Sequence, residues 1–93
     1  MTVAVLTLRL HAPWAHSLKE KRMELRSILT RVRGKFNVSA AEIGEQDAHQ
    51  ILAVGVAAIA ADRAQADSIL DHVIAFVEMN TEAELLSVER EIR

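Results

Sequence analysis

Four cations recur along one short stretch of the chain: Lys19, Arg22, Arg26 and Arg33, at spacings of three, four and seven. A helix turns about 100° per residue, so these spacings place all four on a single stripe. Arginine forks match phosphate oxygens, and each phosphate they neutralise releases counterions. Such contacts hold a nucleic-acid backbone without reading its bases. The expected chemistry is therefore contact with RNA or a ribosomal particle, with these four as the nucleic-acid-binding residues. The competing reading of the stripe is an ordinary solvated helix face.

Other reactive types are present but unaccompanied. His11 and His16 bracket one loop, yet the chain has no cysteine and no carboxylate stands close to them. A metal site needs more ligands than that, so none is expected. Asp47 and His49 could be written as a dyad, but no nucleophile accompanies them, and a turn-stabilising aspartate beside a surface histidine is expected instead. Three scattered glycines offer no phosphate-cradling loop. No catalytic residue and no cofactor is expected, and the chain reads as a non-enzymatic binding protein. The single tryptophan, Trp14, is expected to plug the end of the core; exposed, it would serve as a partner contact.

The elements that position these residues follow from apolar periodicity. Residues 2–11, "TVAVLTLRLH", alternate as a strand, with Ala4, Leu6, Leu8 and Leu10 on one face. Pro13 ends it. Ser17 and Glu20 have capping-box spacing and open a helix. Its buried face is Leu18, Leu25, Ile28, Leu29 and Val32, with Lys21 expected on one flank and Arg31 near Glu20 and Glu24. Gly34 is the expected left-handed stop. Residues 36–43 read as a second strand and 51–60 as a third, apolar on both faces. Asp62 caps a second helix with the stripe Ala66, Ile69, Leu70, Val73, Phe76 and Val77, ending near Asn80. Residues 83–92 form a fourth strand, with Leu86, Val88 and Ile92 expected on one side.

The order β-α-β-β-α-β is the ferredoxin-like pattern, an α+β class, here as one domain over residues 1–93. Right-handed crossovers put both helices on one face of a four-stranded antiparallel sheet of order 4-1-3-2. The other face is left open although Val3, Val5 and one side of the third strand must lie there. An open apolar face calls for a partner, and a homodimer through that face or through an edge strand is expected. A small-molecule-sensing or regulatory dimer is the alternative functional class, distinguished by a polar pocket at the dimer junction. The second helix carries an acidic stripe, Asp67, Asp71 and Glu78. Handedness puts both charged stripes outward, the basic one beside the second strand and the acidic one beside the fourth.

Charge is divided along the chain. Residues 1–35 hold eight Lys/Arg against two carboxylates, and residues 36–93 hold three against eleven, within a net charge of −2. The longest apolar run, residues 51–61, is too short to cross a bilayer as a helix. The N-terminal residues lack the cationic flank of a signal peptide, so no membrane association is expected. Absence of cysteine fits cytoplasmic residence.

The stretches "AHSLKEKR", "FNVS", the "QD" pair, "ADR" at 61–63 and "AELLSVE" at 83–89 together resemble the YlxP-like family of bacterial proteins. The resemblance spans nearly the whole chain and implies the ferredoxin-like fold. It also implies a small cytoplasmic protein, of a kind commonly encoded beside translation-initiation and ribosome-maturation factors. The chain differs from the family around His49, where many members carry tryptophan, and at Ile51, where a cation is frequent.

Overall fold

The computed structural model describes residues 1–45 and 48–93. The elements run β1 (Thr2–His11), α1 (Leu18–Lys35), β2 (Ser39–Gly44), β3 (Ile51–Ala60), α2 (Arg63–Met79) and β4 (Glu84–Ile92). The four strands form one antiparallel sheet in the order β2-β3-β1-β4. This is the ferredoxin-like arrangement, with β1 and β3 in the centre as the double-sided apolarity of β3 requires.

The pairing of β1 with β3 is unbroken for ten residues, from Thr2 opposite Ala60 to His11 opposite Ile51. Alternation then sorts the side chains. Ala4, Leu6, Leu8 and Leu10 are fully buried beneath the helices, with Leu52, Val54 and Val56 beside them. From α1 come Leu25, Ile28, Leu29 and Val32, and from α2 Ala66, Leu70, Val73 and Val77. Phe36 and Phe76 meet edge to face, centroids 5.4 Å apart, and join the C-terminal end of α1 to α2.

Both helix starts follow their caps. The Ser17 hydroxyl accepts from Glu20 N–H at 3.1 Å, and the Asp62 carboxylate accepts from Gln65 N–H at 2.9 Å. Gln65 in turn accepts from Ala61 N–H. At the far end of α1 the expected glycine stop does not form. Gly34 lies inside the helix, which runs to Lys35 and is closed by an extended Phe36. No glycine takes a positive φ among the described residues. The aromatic contact of Phe36 with Phe76 supplies the reason: the chain turns where that ring is anchored, not where a glycine permits it.

Two strand expectations also shift. β2 starts at Ser39 and not at residue 36, because Phe36 and Val38 pack against the core from the connection. In β4 the register slips between Arg9 and Leu10, pairing Arg9 with Ser87 and Leu10 with Leu85. Leu86 falls at this bulge with no partner on β1, while Val88 and Ile92 pair with Leu8 and Ala4.

Leu70 is fully buried against both layers. Leu70→Ala is expected to lower unfolding stability by about 2–5 kcal/mol, read from the midpoint shift in urea denaturation.

Candidate nucleic-acid interface

The stripe on α1 faces β2, and its members have different local duties. Arg22, Arg26 and Arg33 line a shallow groove of about 280 Å³, floored by Leu25 and Leu29 and bounded by Glu42 of β2. All three arginines are exposed, as is Lys19, which stands on the same stripe one turn before Arg22 but outside the groove. The structure thus gathers three of the four expected cations into one site.

Arg33 is partly committed. Its Nε donates to the Ala40 carbonyl at 3.1 Å, and its Nη2 donates to the same oxygen. Its fork therefore satisfies an acceptor of the edge strand β2. Lys19, Arg22 and Arg26 make no ion pair among the described residues.

Lys21 departs from expectation. The helical wheel puts it on one flank of the buried face, yet it is 1% exposed and the largest fully buried side chain among the described residues. Its Nζ donates to the carbonyl oxygens of Ala48, at 2.8 Å, and Glu45, and stands 3.7 Å from Glu42 Oε2. The reason lies in spacing: Leu18, Lys21, Leu25, Ile28 and Val32 step by three and four, so Lys21 occupies the core seam of α1. A lysine fits there only because two backbone carbonyls and a carboxylate meet its head. The positional signal was present in the sequence, and the charge of the residue masked it. Glu42 of β2 is a further member of the site that spacing on α1 alone does not reveal. It brings one carboxylate to the groove that Arg22, Arg26 and Arg33 line, and it stands near Lys21.

The acidic stripe lies beside β4, as handedness required. Arg90 of β4 reaches up between Asp67 and Asp71, with Nη2 3.1 Å from Asp67 Oδ1 and Nη1 bonded to Asp71. The hydrogen bond to Asp71, ahead of that to Asp67, raises the Arg90 guanidinium above its ordinary value. Among the described residues no pair joins Arg22 or Arg26 to Asp67 or Asp71. One side of the molecule is therefore basic. The opposite side is acidic but partly neutralised by Arg90, an ion pair that the helical wheel alone could not supply.

Trp14 does not plug the core. It is 36% exposed and stands over a cleft of about 390 Å³ between α1 and the end of α2, with Glu24, Arg31, Asn80 and Thr81. Ala12 and Ala15, both fully buried, close that end of the core in its place. Arg31 donates to the Asn80 carbonyl at 3.1 Å, and the Thr81 hydroxyl donates to Glu24 at 2.8 Å. His16 and His49 are exposed. His72 lies 2.6 Å from the Ser68 carbonyl one turn earlier on α2. Asp47, and with it the Asp47–His49 pair, lies outside the described residues. No cluster of three metal-ligating side chains occurs among the described residues, and no helix there is long and apolar enough to cross a membrane.

A family described as "Protein of unknown function (DUF503)" matches residues 3–90. The chain belongs to this family. It is 50% identical over 70 residues to the Uncharacterized protein YlxP of Bacillus subtilis (strain 168), covering 75% of this chain and 76% of the relative. The YlxP-like resemblance of the sequence motifs is thereby established. Among solved structures, the de novo designed protein Ferredog-Diesel is similar at 18% identity and a TM-score of 0.41, over 96% of this chain and 84% of that one.

Lys21 makes a testable claim. Lys21→Met keeps the apolar stem but takes the ammonium donor from the Ala48 carbonyl and leaves the Glu45 carbonyl only the Ala48 N–H. A loss of about 1–3 kcal/mol is expected in urea unfolding, with faster amide exchange confined to the β2–β3 hairpin. Exposed Lys19→Met is expected to leave both unchanged.

Proposed function

We propose that this protein is a non-enzymatic, cytoplasmic binding protein that holds the phosphate backbone of RNA, free or within a ribosomal particle, through the α1–β2 groove. The observation that carries this reading is the convergence of Arg22, Arg26 and Arg33 on one open groove, with Lys19 in line on the same stripe. Arg22 and Arg26 are the principal phosphate ligands. They are exposed and have no charged partner among the described residues, so phosphate contact costs them no existing ion pair. Arg33, already bonded to Ala40, supports the groove wall and offers its remaining donor positions.

The mode is grip without base readout. The open sheet face bears no Phe, Tyr or Trp in its central strands β1 and β3, so bases have no stacking platform of the RNA-recognition-motif kind there. Glu42 sets the limit of the groove by repelling phosphate from the hairpin end, while its proximity to Lys21 keeps it in place. The cationic side faces the ligand and the acidic α2 side faces away, which orients the approaching molecule.

Binding to structured RNA and to ribosomal particles across a salt series tests the proposal. The logarithm of the affinity is expected to fall linearly with log salt concentration. Arg22→Glu/Arg26→Glu is expected to abolish measurable binding. Arg22→Gln/Arg26→Gln is expected to reduce the salt slope by roughly 1.4–1.8, the contribution of two phosphates. Binding that ignores salt, or that survives the charge reversal unchanged, refutes the groove as the site.

A further inference from the structure

The sheet face turned away from the helices carries the second surface of this protein. Cross-strand partners share a face, so the register of β1 with β3 fixes what lies there: Val3 beside Ile59, Val5 beside Ala57, Thr7 beside Gly55. The two central strands differ in bulk. β1 presents Val3, Val5 and Thr7 as a ridge. β3 presents Ala57 and Gly55 as a trough, bounded on its far side by Ile43 of β2. Together these residues shape an apolar dish of about 340 Å³. Gly55 makes the dish possible: a Cβ there would stand 2.7 Å from Ile43 Cγ2, which leans over the space. Ile59, at the end of the trough, is 70% exposed, and Ile43 is 51% exposed.

We infer that a second copy of this chain docks face to face on this surface, related by a two-fold axis running along the strands between β1 and β3. That axis places the β1 ridge of each copy over the β3 trough of the other. Val5 and Thr7 then oppose the small residues of the partner copy's trough, twice over, and Val3 meets the exposed isoleucine at the trough's end. A surface that carries both a ridge and its matching trough, side by side and in register, is self-complementary in the way a two-fold interface requires.

Charge selects the same axis. β4 shows Glu84, Glu89 and Glu91 on this face, through their pairing with His11, Thr7 and Val5. An axis across the strands would stack these carboxylates on their own copies. The axis along the strands sets them over β2 of the partner copy, where Ser39 and Ala41 are uncharged. The β2 edge is a poor alternative, because Arg33 occupies the Ala40 carbonyl from outside the sheet. Area is adequate: strands of ten, ten, nine and six residues, about 4.8 Å apart, give roughly 1,100 Å² over two faces, just above the roughly 1,000 Å² that a specific interface needs. Helices stay outside, so both basic grooves remain open.

Analytical ultracentrifugation of the full chain over a wide concentration range tests this. A dimer is expected. Val5→Glu is expected to yield a monomer with unchanged helix and strand circular dichroism. Ile59→Lys alters a side chain already in solvent, so it cannot disturb the core, and it is expected to weaken dimerisation at least tenfold. Arg33→Ala is expected to leave the dimer intact. A wild-type monomer at every concentration overturns the inference. So does a dimer that survives Ile59→Lys, or one that Arg33→Ala abolishes.

Discussion

The ten-residue antiparallel register between β1 and β3 is the constraint on which everything else rests. Both strands are central, so each must satisfy two neighbours and two faces at once. One face takes Leu6, Leu8, Leu10, Leu52, Val54 and Val56 into the apolar core beneath the helices. The other is left with short and β-branched side chains that need no helix above them. A slip of one residue would exchange these sets, exposing the leucines and burying Arg9 and His11. The helices, their charged stripes and the groove are placed by where this pair of strands holds their ends.

Charge on this protein is arranged by topology and not by pairing between helices. Each helix lies beside the edge strand that its outward stripe can use. The α1 arginines approach β2, where Arg33 binds a main-chain oxygen. The α2 aspartates approach β4, where Arg90 meets them. The groove stays basic because its one carboxylate, Glu42, lies near a lysine that comes from beneath. That lysine ties α1 to the β2–β3 hairpin, so the wall of the groove and the core are secured by the same side chain.

Periodicity was enough to read the element order, the caps of both helices and the limits of β3, because each rests on local spacing and local hydrogen bonds. The outward placement of both stripes was legible too, since handedness is a property of L-residues and not of this chain. What escaped were features set by distant partners. Lys21 is polar by type and buried by position, and only the carbonyls of Glu45 and Ala48, more than twenty residues away, reconcile the two. Gly34 has the residue type of a helix stop, but the packing of Phe36 on Phe76 decides where the helix ends. Trp14 has the size of a core plug, yet Ala12 and Ala15 already fill that position. Arg90 is an unremarkable cation until the fold brings two aspartates to it.

The place of β4 in the sheet has a kinetic consequence. β1 is completed on one side only when β4 arrives, pairing Leu8 with Val88 across eighty positions of chain, and the ends meet through hydrogen bonds between Val3 and Arg93. The two helices and the β2–β3 hairpin form from near neighbours and can assemble early. Closing the largest loop is left for β4. Until it docks, β1, which carries Leu6, Leu8 and Leu10, is an edge strand. A molecule in that state is open to pairing with any other chain that offers a strand.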